Sequence, residues 1–482
     1  MIPWTRCLVT LGPALALVMT VACVRVEPRP DFDQARDLIR ESTGRAQVFD
    51  SEVPVPTEEE LEALLADGLS LDEAQRLALI NNRELLAEFQ EIGVAHTDWV
   101  QSRLLSNPSL DVLLRFPLEG GRGLLEAGLG VELLELWRIP ARADAARRGL
   151  EATVLRIARR AGEELADARR AYFAAVAAEE LERVAREHVE LVARSFEAVR
   201  ALHEAGAADA LDESLARGPL LSARLALQVA RIEAADARRA LAKELSIERP
   251  VELLLLTDPL PEPPALECEP EALVLRARAA RLDLRAFEAA LVGLEAQVRL
   301  EERRAFGDVA AGVSLERPAD SGDELVGPAL DLTLPLFDQN QAQVARAGFK
   351  LEQMVRLREA AVVFVAQDVR SGADRLNTAS RNLAFYRAEV LPQAELSLAL
   401  ASESHAAGRT SLLTLLEVQR QLLEARRGQV VLRLEAAAAL AELERAVGAP
   451  LPGTAENPSA PAGPAVHGRA QAAGAHEDES QG

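Results

Sequence analysis

Residues 405–423 read HAAGRTSLLTLLEVQRQLL, and residues 203–221 read HEAGAADALDESLARGPLL. Both open with His-x-Ala-Gly, and both precede a Leu-rich amphipathic run. A glycine just past a long periodic stretch is a usual helix stop, so each segment predicts a helix, a tight turn and a returning helix. The same turn written twice, at Gly206 and Gly408, predicts that its surroundings are duplicated too.

Upstream of the first turn, from Pro140 to about Leu202, the chain has no further proline and little glycine. Val154, Ile157, Ala161, Leu165, Ala168, Tyr172 and Val176 follow a 3-4-4-3-4-4 spacing. That eleven-residue repeat gives a nearly straight or slightly right-handed seam, on a helix on the order of 90 Å long. A return helix is predicted from Leu211 to Leu245. The second turn has the same flanks: a very long helix from about Gln339 to Glu403, kinked at Pro392, and a return helix to Ala446.

Before each long helix the period changes to two. Leu110, Val112, Leu114 and Phe116 alternate with Asp111, Leu113 and Arg115. After a Gly-rich turn, Leu125, Ala127, Leu129, Val131 and Leu133 alternate with Glu126, Gly128, Gly130 and Glu132. In the second half, Val309, Ala311, Val313 and Leu315 share a face, with Glu316 out of phase. Val326, Leu330, Leu332, Leu334 and Leu336 share another, with Asp331 and Thr333 opposite. Each half therefore predicts a hairpin with one apolar and one polar face, ending at Trp137 and Phe337. A helix precedes each hairpin. The first starts at Ser70, whose Glu73 completes a capping box, and ends at Pro108; the second covers roughly 270–305.

Length, composition and charge bound the rest. The 482 residues are rich in Ala, Leu, Glu and Arg, with 4% aromatic residues, which suits long packed helices. A net charge of −22 argues against a nucleic-acid partner. It fits a solvated surface or an acidic lumen. Arg6 and the apolar residues 8–22 predict an export signal over residues 1–22. Thr20-Val-Ala-Cys23 resembles a bacterial lipobox, making Cys23 a candidate lipidation site. Cys268 is then without a partner, so packing rather than disulfides must stabilise the fold. No other segment is long and apolar enough for a membrane helix. The expected organisation is a signal peptide (1–22), a polar lipid-anchored leader (23–68), a first repeat (69–248), a Pro-rich linker (249–268), a second repeat (269–448) and a disordered tail (449–482).

Two strands per half cannot close a membrane barrel alone, so the units must associate. At this point the chain resembles the TolC family of outer-membrane efflux ducts, including lipoprotein members. The likeness is carried by LSLDEAQRLALINNREL (69–85) followed by NPSL, by LTLPLFD (332–338) and by VLPQAELSLALASESHAAGRTSLLTLLEVQRQLLEAR (390–426). It implies a mainly α fold with a membrane β-barrel. A homotrimer would form a twelve-stranded barrel in outer-membrane lipid and a long periplasmic helical barrel. It implies a passive exit duct, not an enzyme, served by a periplasmic adaptor and an inner-membrane pump; NPSL is similar to members paired with resistance–nodulation–division pumps, including metal exporters. It also implies a gate at the tip turns, with Glu417 and Thr414 at the matching positions of the second half, and Asp209, Asp212 and Glu213 in the first.

Each assignment has a plainer rival. Glu417 and Asp212 also read simply as solvated residues near helix N-termini, where carboxylates suit the dipole. Asp111, Arg115, Glu126, Glu132, Glu316 and Asp331 read as a barrel lumen or as the wet side of an ordinary sheet. Trp137, Phe337 and Phe116 are the candidate interfacial aromatics. His203 and His405 occupy equivalent turn positions without supporting ligands, which predicts a repeated structural contact rather than a metal site. No cofactor motif, phosphate loop or catalytic constellation is present in the sequence. The alternative from another class is a soluble periplasmic coiled-coil scaffold or adaptor.

Overall fold

The computed structural model describes residues 25–45, 55–118, 122–248, 250, 254–262, 269–318 and 323–451. The predicted signal peptide, Cys23, Cys268, half of the linker and the tail beyond residue 451 lie outside the described residues.

The duplicated order is present. The first half contains α3 (Leu71–Ile80), α4 (Arg83–Ser102), β1 (Ser109–Arg115), β2 (Leu124–Glu132), α5 (Glu135–Glu204) and α6 (Ala210–Glu244). The second contains α7 (Pro270–Ala280), α8 (Leu282–Arg304), β3 (Val309–Arg317) and β4 (Leu325–Leu332). It continues with α9 (Gln341–Phe385), a π turn (Tyr386–Val390), α10 (Leu391–Ala406) and α11 (Leu412–Val447). At 70 residues, α5 is about 105 Å long and packs along α4, α6, α8 and α11. All seven residues of its predicted seam are buried, from Val154 to Val176. Small residues at Ala161 and Ala168 let neighbouring helices approach, and burial of the larger ones removes about 1.5–3 kcal/mol of apolar exposure each.

The leader departs from expectation. Residues 23–68 read as a polar leader, yet α1 (Arg29–Thr43) and α2 (Glu58–Leu65) form within them. Phe32, Ala35, Leu38 and Ile39 of α1 are buried against α4 and α5, and Asp31 holds buried His96 of α4 at 2.6 Å. A four-residue apolar stripe among charges, next to prolines, was too short to be seen before its partner helices were known.

Two predicted helices are each broken once. The first divides at Asn81–Asn82, although Ser70 caps α3 with Glu73 as predicted. Asn82 Oδ1 accepts from the backbone N–H of Glu84 and Leu85 and so starts α4. Asn81 Nδ2 donates to the carbonyls of Leu245 (2.7 Å) and Ser246 (3.2 Å), at the end of α6. The second divides at Arg281, which donates from Nη1 to Ala446 O at 3.1 Å, at the end of α11. Both halves thus use the break to satisfy carbonyls that a helix end leaves open. The left-handed residue that follows is Ser246 (φ 52) in one half and Gly448 (φ 75) in the other. Pro140 lies inside α5, which starts earlier than predicted, at Glu135. The kink expected at Pro392 takes the form of the π turn immediately before it.

The break at Asn82 also shelters a carboxyl. Glu164 of α5 is 2% exposed, accepts from Asn82 Nδ2 and lies 3.1 Å from Arg160 Nη2. Burial, then the neighbouring Glu244 carboxyl, raises its pKa to about 8 against the pull of Arg160. A carboxyl whose folded pKa is raised binds protons more tightly in the native state. Its contribution is therefore full at low pH and is lost as pH rises from the ordinary carboxyl range through about 8. The expected outcome is a melting temperature that falls between about pH 5 and about pH 8, measured by scanning calorimetry. Glu164→Gln is expected to flatten that slope and melt higher than the parent at the alkaline end.

Candidate functional site

The four strands form one antiparallel sheet in the order β1-β2-β3-β4. The pairing of β2 with β3 joins the two halves. Its register decides which side chains share a face. Leu110 pairs with Leu129 and Val112 with Ala127; Leu129 pairs with Val313, and Ala311 with Leu330. One face is therefore apolar across all four strands. It is also open: Leu110 (69%), Val326 (66%) and Leu330 (63%) are among its exposed residues.

The other face collects the polar residues. Leu113 pairs with Glu126, Glu126 with Glu316, Glu132 with Ala310, and Ala310 with Asp331. With the alternation along each strand, Asp111, Arg115, Glu126, Glu132, Glu316 and Asp331 all lie on this face. Glu126 and Glu316 stand directly opposite each other, an arrangement that costs energy unless water screens it. Between the charges the face is lined by small residues. Gly130 pairs with Gly312, where an added Cβ would overlap Leu129 O.

The aromatic residues sit at the two ends of this sheet. Phe116 follows β1 and is exposed. At the other end, Trp137 meets Phe306 edge-to-face at 5.3 Å under Arg303, 5.2 Å from its ring, and Phe337 is 93% exposed. The nine-residue β2 separates the ends by about 30 Å.

The second locus is the pair of turns. Gly206 (φ 74) and Gly408 (φ 69) both take the left-handed conformation. Ala207 N donates to Leu202 O at 2.8 Å, and Arg409 N to Ser404 O at 2.9 Å, so both turns close as Schellman motifs. His203 Nδ1 donates to Ala208 O, and His405 Nδ1 to Thr410 O, each at 3.0 Å. The repeated histidine is thus a repeated turn contact. Among the described residues no group of three or more His, Cys, Asp or Glu could hold a metal ion.

The proposed gate residues fall at the starts of α6 and α11. Asp209 caps α6 and accepts from Asp212 N at 2.8 Å, while Asp212 reaches back to Asp209 N. Ser411 caps α11 and accepts from Thr414 N at 3.3 Å, with the two hydroxyls 3.0 Å apart. Asp212 and Thr414 are therefore equivalent capping residues. Glu213 lies 3.8 Å from His203. Glu417 is exposed on α11 and accepts from Arg420 Nε (3.0 Å) and Nη2 (2.7 Å). That hydrogen-bonded guanidinium, then Gln421, lowers its pKa, so it is ionised across the neutral range. The sequence reading missed Arg420 as Glu417's partner, although an acid and a base three residues apart on a helix are a readable pair. It also missed Ser411, which a Ser-x-x-Thr helix start would have marked.

Residues 75–245 and 273–449 match the outer membrane efflux protein family. The cobalt-zinc-cadmium resistance protein CzcC of Cupriavidus metallidurans is 26% identical over 369 residues, covering 75% of this chain and 85% of its own. The pyoverdine export outer membrane protein OpmQ of Pseudomonas aeruginosa is 27% identical over 288 residues, covering 58% and 59%. In fold, the chain is similar to the CmeC outer membrane channel of Campylobacter jejuni. The TM-score is 0.66 at 16% identity, over 83% of this chain and 89% of that one.

The turn geometry gives a direct expectation. Gly408→Ala places a Cβ in a left-handed residue and costs about 1 kcal/mol locally. Hydrogen exchange at the Arg409 amide should speed up about fivefold, with core amides of α5 unchanged.

Proposed function

This chain belongs to the outer membrane efflux protein family, and from that premise we propose that three copies close into one passive exit duct. The sheets sum to a twelve-stranded barrel in the outer membrane, and the helices to a periplasmic tunnel. The duct receives its cargo from an inner-membrane pump through a periplasmic adaptor, and no catalytic step is part of its work.

The observation that carries trimer closure is the missing half of a repeated contact. On α5, the segment around residues 140–151 packs against α8 of the other half: Gly293 lies against Arg148, and Arg299 reaches Asp144 at 3.3 Å. The equivalent segment of α9 presents Ala342, Ala345, Arg346, Phe349, Lys350 and Gln353 around an open hollow. Phe349 is 77% exposed. The element equivalent to α8 is α4, and this chain's own α4 packs on α5 instead. A neighbouring copy's α4 supplies the cover. The sheet repeats the logic, since β2–β3 joins halves within the chain and β4 meets β1 of the next copy. Outward apolar residues then face lipid and the shared polar face lines the lumen. A soluble scaffold has no use for that apolar face.

The α1 helix supports lipid anchoring. Its clamp to His96 holds the start of the described chain near the end of α4, just before β1 and the proposed barrel. At the opposite end, Glu417, assisted by Asp212 and Glu213, sets the charge of the gate, with Thr414 and the turns Gly206 and Gly408 shaping it. Arg420 offsets part of the Glu417 charge. One relative is named for cobalt-zinc-cadmium resistance and the other for pyoverdine export; in the proposed duct the pump chooses the cargo.

Purified in mild detergent, the protein should show a mass of about three chains by light scattering; soluble recovery as a monomer without detergent overturns the reading. In planar bilayers, Glu417→Gln should weaken cation block from the tip side. Glu126→Gln with Glu316→Gln should lower cation-over-anion selectivity. Unchanged selectivity would place those two carboxylates outside the lumen.

A further inference from the structure

Among the described residues the tryptophans are Trp99 and Trp137, and an arginine lies over each. Arg103 Cζ is 4.9 Å from the centre of the Trp99 ring, and Arg303 Cζ is 5.2 Å from that of Trp137. The two arginines come from corresponding places in the halves. Arg103 caps the end of α4, and Arg303 lies in the last turn of α8. Both helix ends are held at one level by the start of α5. Arg142 donates to Ser102 O (2.8 Å) and Leu104 O (2.7 Å) at the end of α4, and Arg138 donates to Gly307 O just past α8. The sheet begins here too, where Leu133 N donates to Val309 O.

Arginines at this level are of two kinds. Arg138, Arg142, Arg299 and Arg304 are paired with Asp308, Glu135, Asp144 and Glu301. Arg103 and Arg303 have no ion-pair partner among the described residues, and no acid stands three or four positions from either. A helix C-terminus favours a cation at both places but supplies no anion. Stacking covers the face of a guanidinium and leaves the N–H groups at its edge to bind in the ring plane. Arg303 uses Nη1 on Trp137 O at 2.6 Å, and its remaining edge is open.

The surface around these cations is apolar. Leu105, Leu136, Phe306 and Phe337 are all exposed, and Phe306 meets Trp137 edge-to-face. This surface adjoins the end of the sheet, whose outer face is apolar as well. An unpaired guanidinium on an indole, with hydrocarbon to one side, matches a phosphate group that carries acyl chains. A free phosphate ion would meet the guanidinium but leave the leucine and phenylalanine side chains in water.

We propose that Arg103 with Trp99, and Arg303 with Trp137, form two phospholipid sites on each chain, each guanidinium holding the headgroup phosphate of a lipid whose acyl chains lie along the sheet. This rests on the reading of the sheet as a membrane barrel. The sites set the depth of the barrel at the level where the helices leave the membrane. The first also adjoins the leader, because the ring of His96, held by Asp31 of α1, lies 5.5 Å from the Trp99 ring.

The test titrates the protein in dodecyl maltoside, a detergent without phosphate, with phosphatidylglycerol, diacylglycerol or inorganic phosphate. With the predicted signal peptide removed, Trp99 and Trp137 are the chain's two tryptophans, so indole fluorescence reads both sites. Phosphatidylglycerol should shift the fluorescence saturably and raise the melting temperature; diacylglycerol and inorganic phosphate should do neither. Arg103→Gln combined with Arg303→Gln should weaken phosphatidylglycerol binding about tenfold, the loss of a charge-assisted hydrogen bond, with melting in detergent alone unchanged. Arg103→Lys combined with Arg303→Lys keeps the charge but not the planar fork, and should bind between the two. Should the Gln variant melt lower in detergent alone, the Lys variant decides by the same comparison. Equal responses to diacylglycerol and phosphatidylglycerol, or a variant that binds as the parent does, overturn the sites. An equal response to inorganic phosphate identifies a free-ion site and overturns the lipid. A mass of about three chains beside any of these results leaves the duct standing; a soluble monomer without detergent removes both.

Discussion

Every backbone N–H and C=O in a sheet needs a partner, and among the described residues each of the edge strands β1 and β4 has one side without a strand. In water such an edge invites pairing with another chain. In hydrocarbon it is untenable, because lipid offers no hydrogen bonds. Among the described residues, the helices leave the apolar face of the same sheet uncovered too. Sheet formation is therefore tied to association. Burial of the edges and transfer of the apolar face into lipid occur in the same assembled state.

Duplication turns that constraint into a construction rule. In the proposed trimer, joints between halves alternate between two kinds, one made within the chain and one made between copies, and both use equivalent surfaces. The two halves have meanwhile diverged at the helix ends they share. Where the second half uses Arg281 beside Gly448, the first uses Asn81 with Ser246 in the left-handed region. Ser246 tolerates its backbone because it is held at both ends: its carbonyl accepts from Asn81 and its hydroxyl from Arg83 N. The middle of the molecule is tied in a similar way. Tyr172 donates to Leu69 O and accepts from Asp258 N, so one buried phenol joins the long helix, the entrance to α3 and the segment between the halves.

The sequence disclosed those features that a single period encodes. The seven seam residues of α5, the six polar strand residues and the two turn glycines all follow from repeats of 3.67, of two, or of the whole half. Strand register needed no direct signal, since a shift by one residue would turn Glu126 and Asp331 toward the apolar side. Illegible features were those whose partner lies far along the chain. The α1 stripe has meaning only against α4 and α5. Asn81 and Asn82 read as ordinary helix residues until the carbonyls of α6 arrive beside them. Gln419 reads as a solvated helix residue until Ser195, more than two hundred positions earlier, is seen to face it.

The net charge of −22 takes its effect from where it is unpaired. On the helices, many carboxylates are matched with arginines three or four residues away or across a helix contact, as with Glu182 and Arg186, Glu359 and Arg356, or Glu180 and Arg433. Exposed pairs of this kind add little stability, but they cancel field locally. Among the described residues, Asp111, Glu126, Glu132, Glu316 and Asp331 of the sheet's polar face have no ion-pair partner. These five, with Arg115 as the one cation named beside them, give a net negative charge to the face that closure would turn inward. There, low-dielectric walls would focus it. Carboxylates on the face opposite the apolar one are what the proposed duct needs for a water-filled passage.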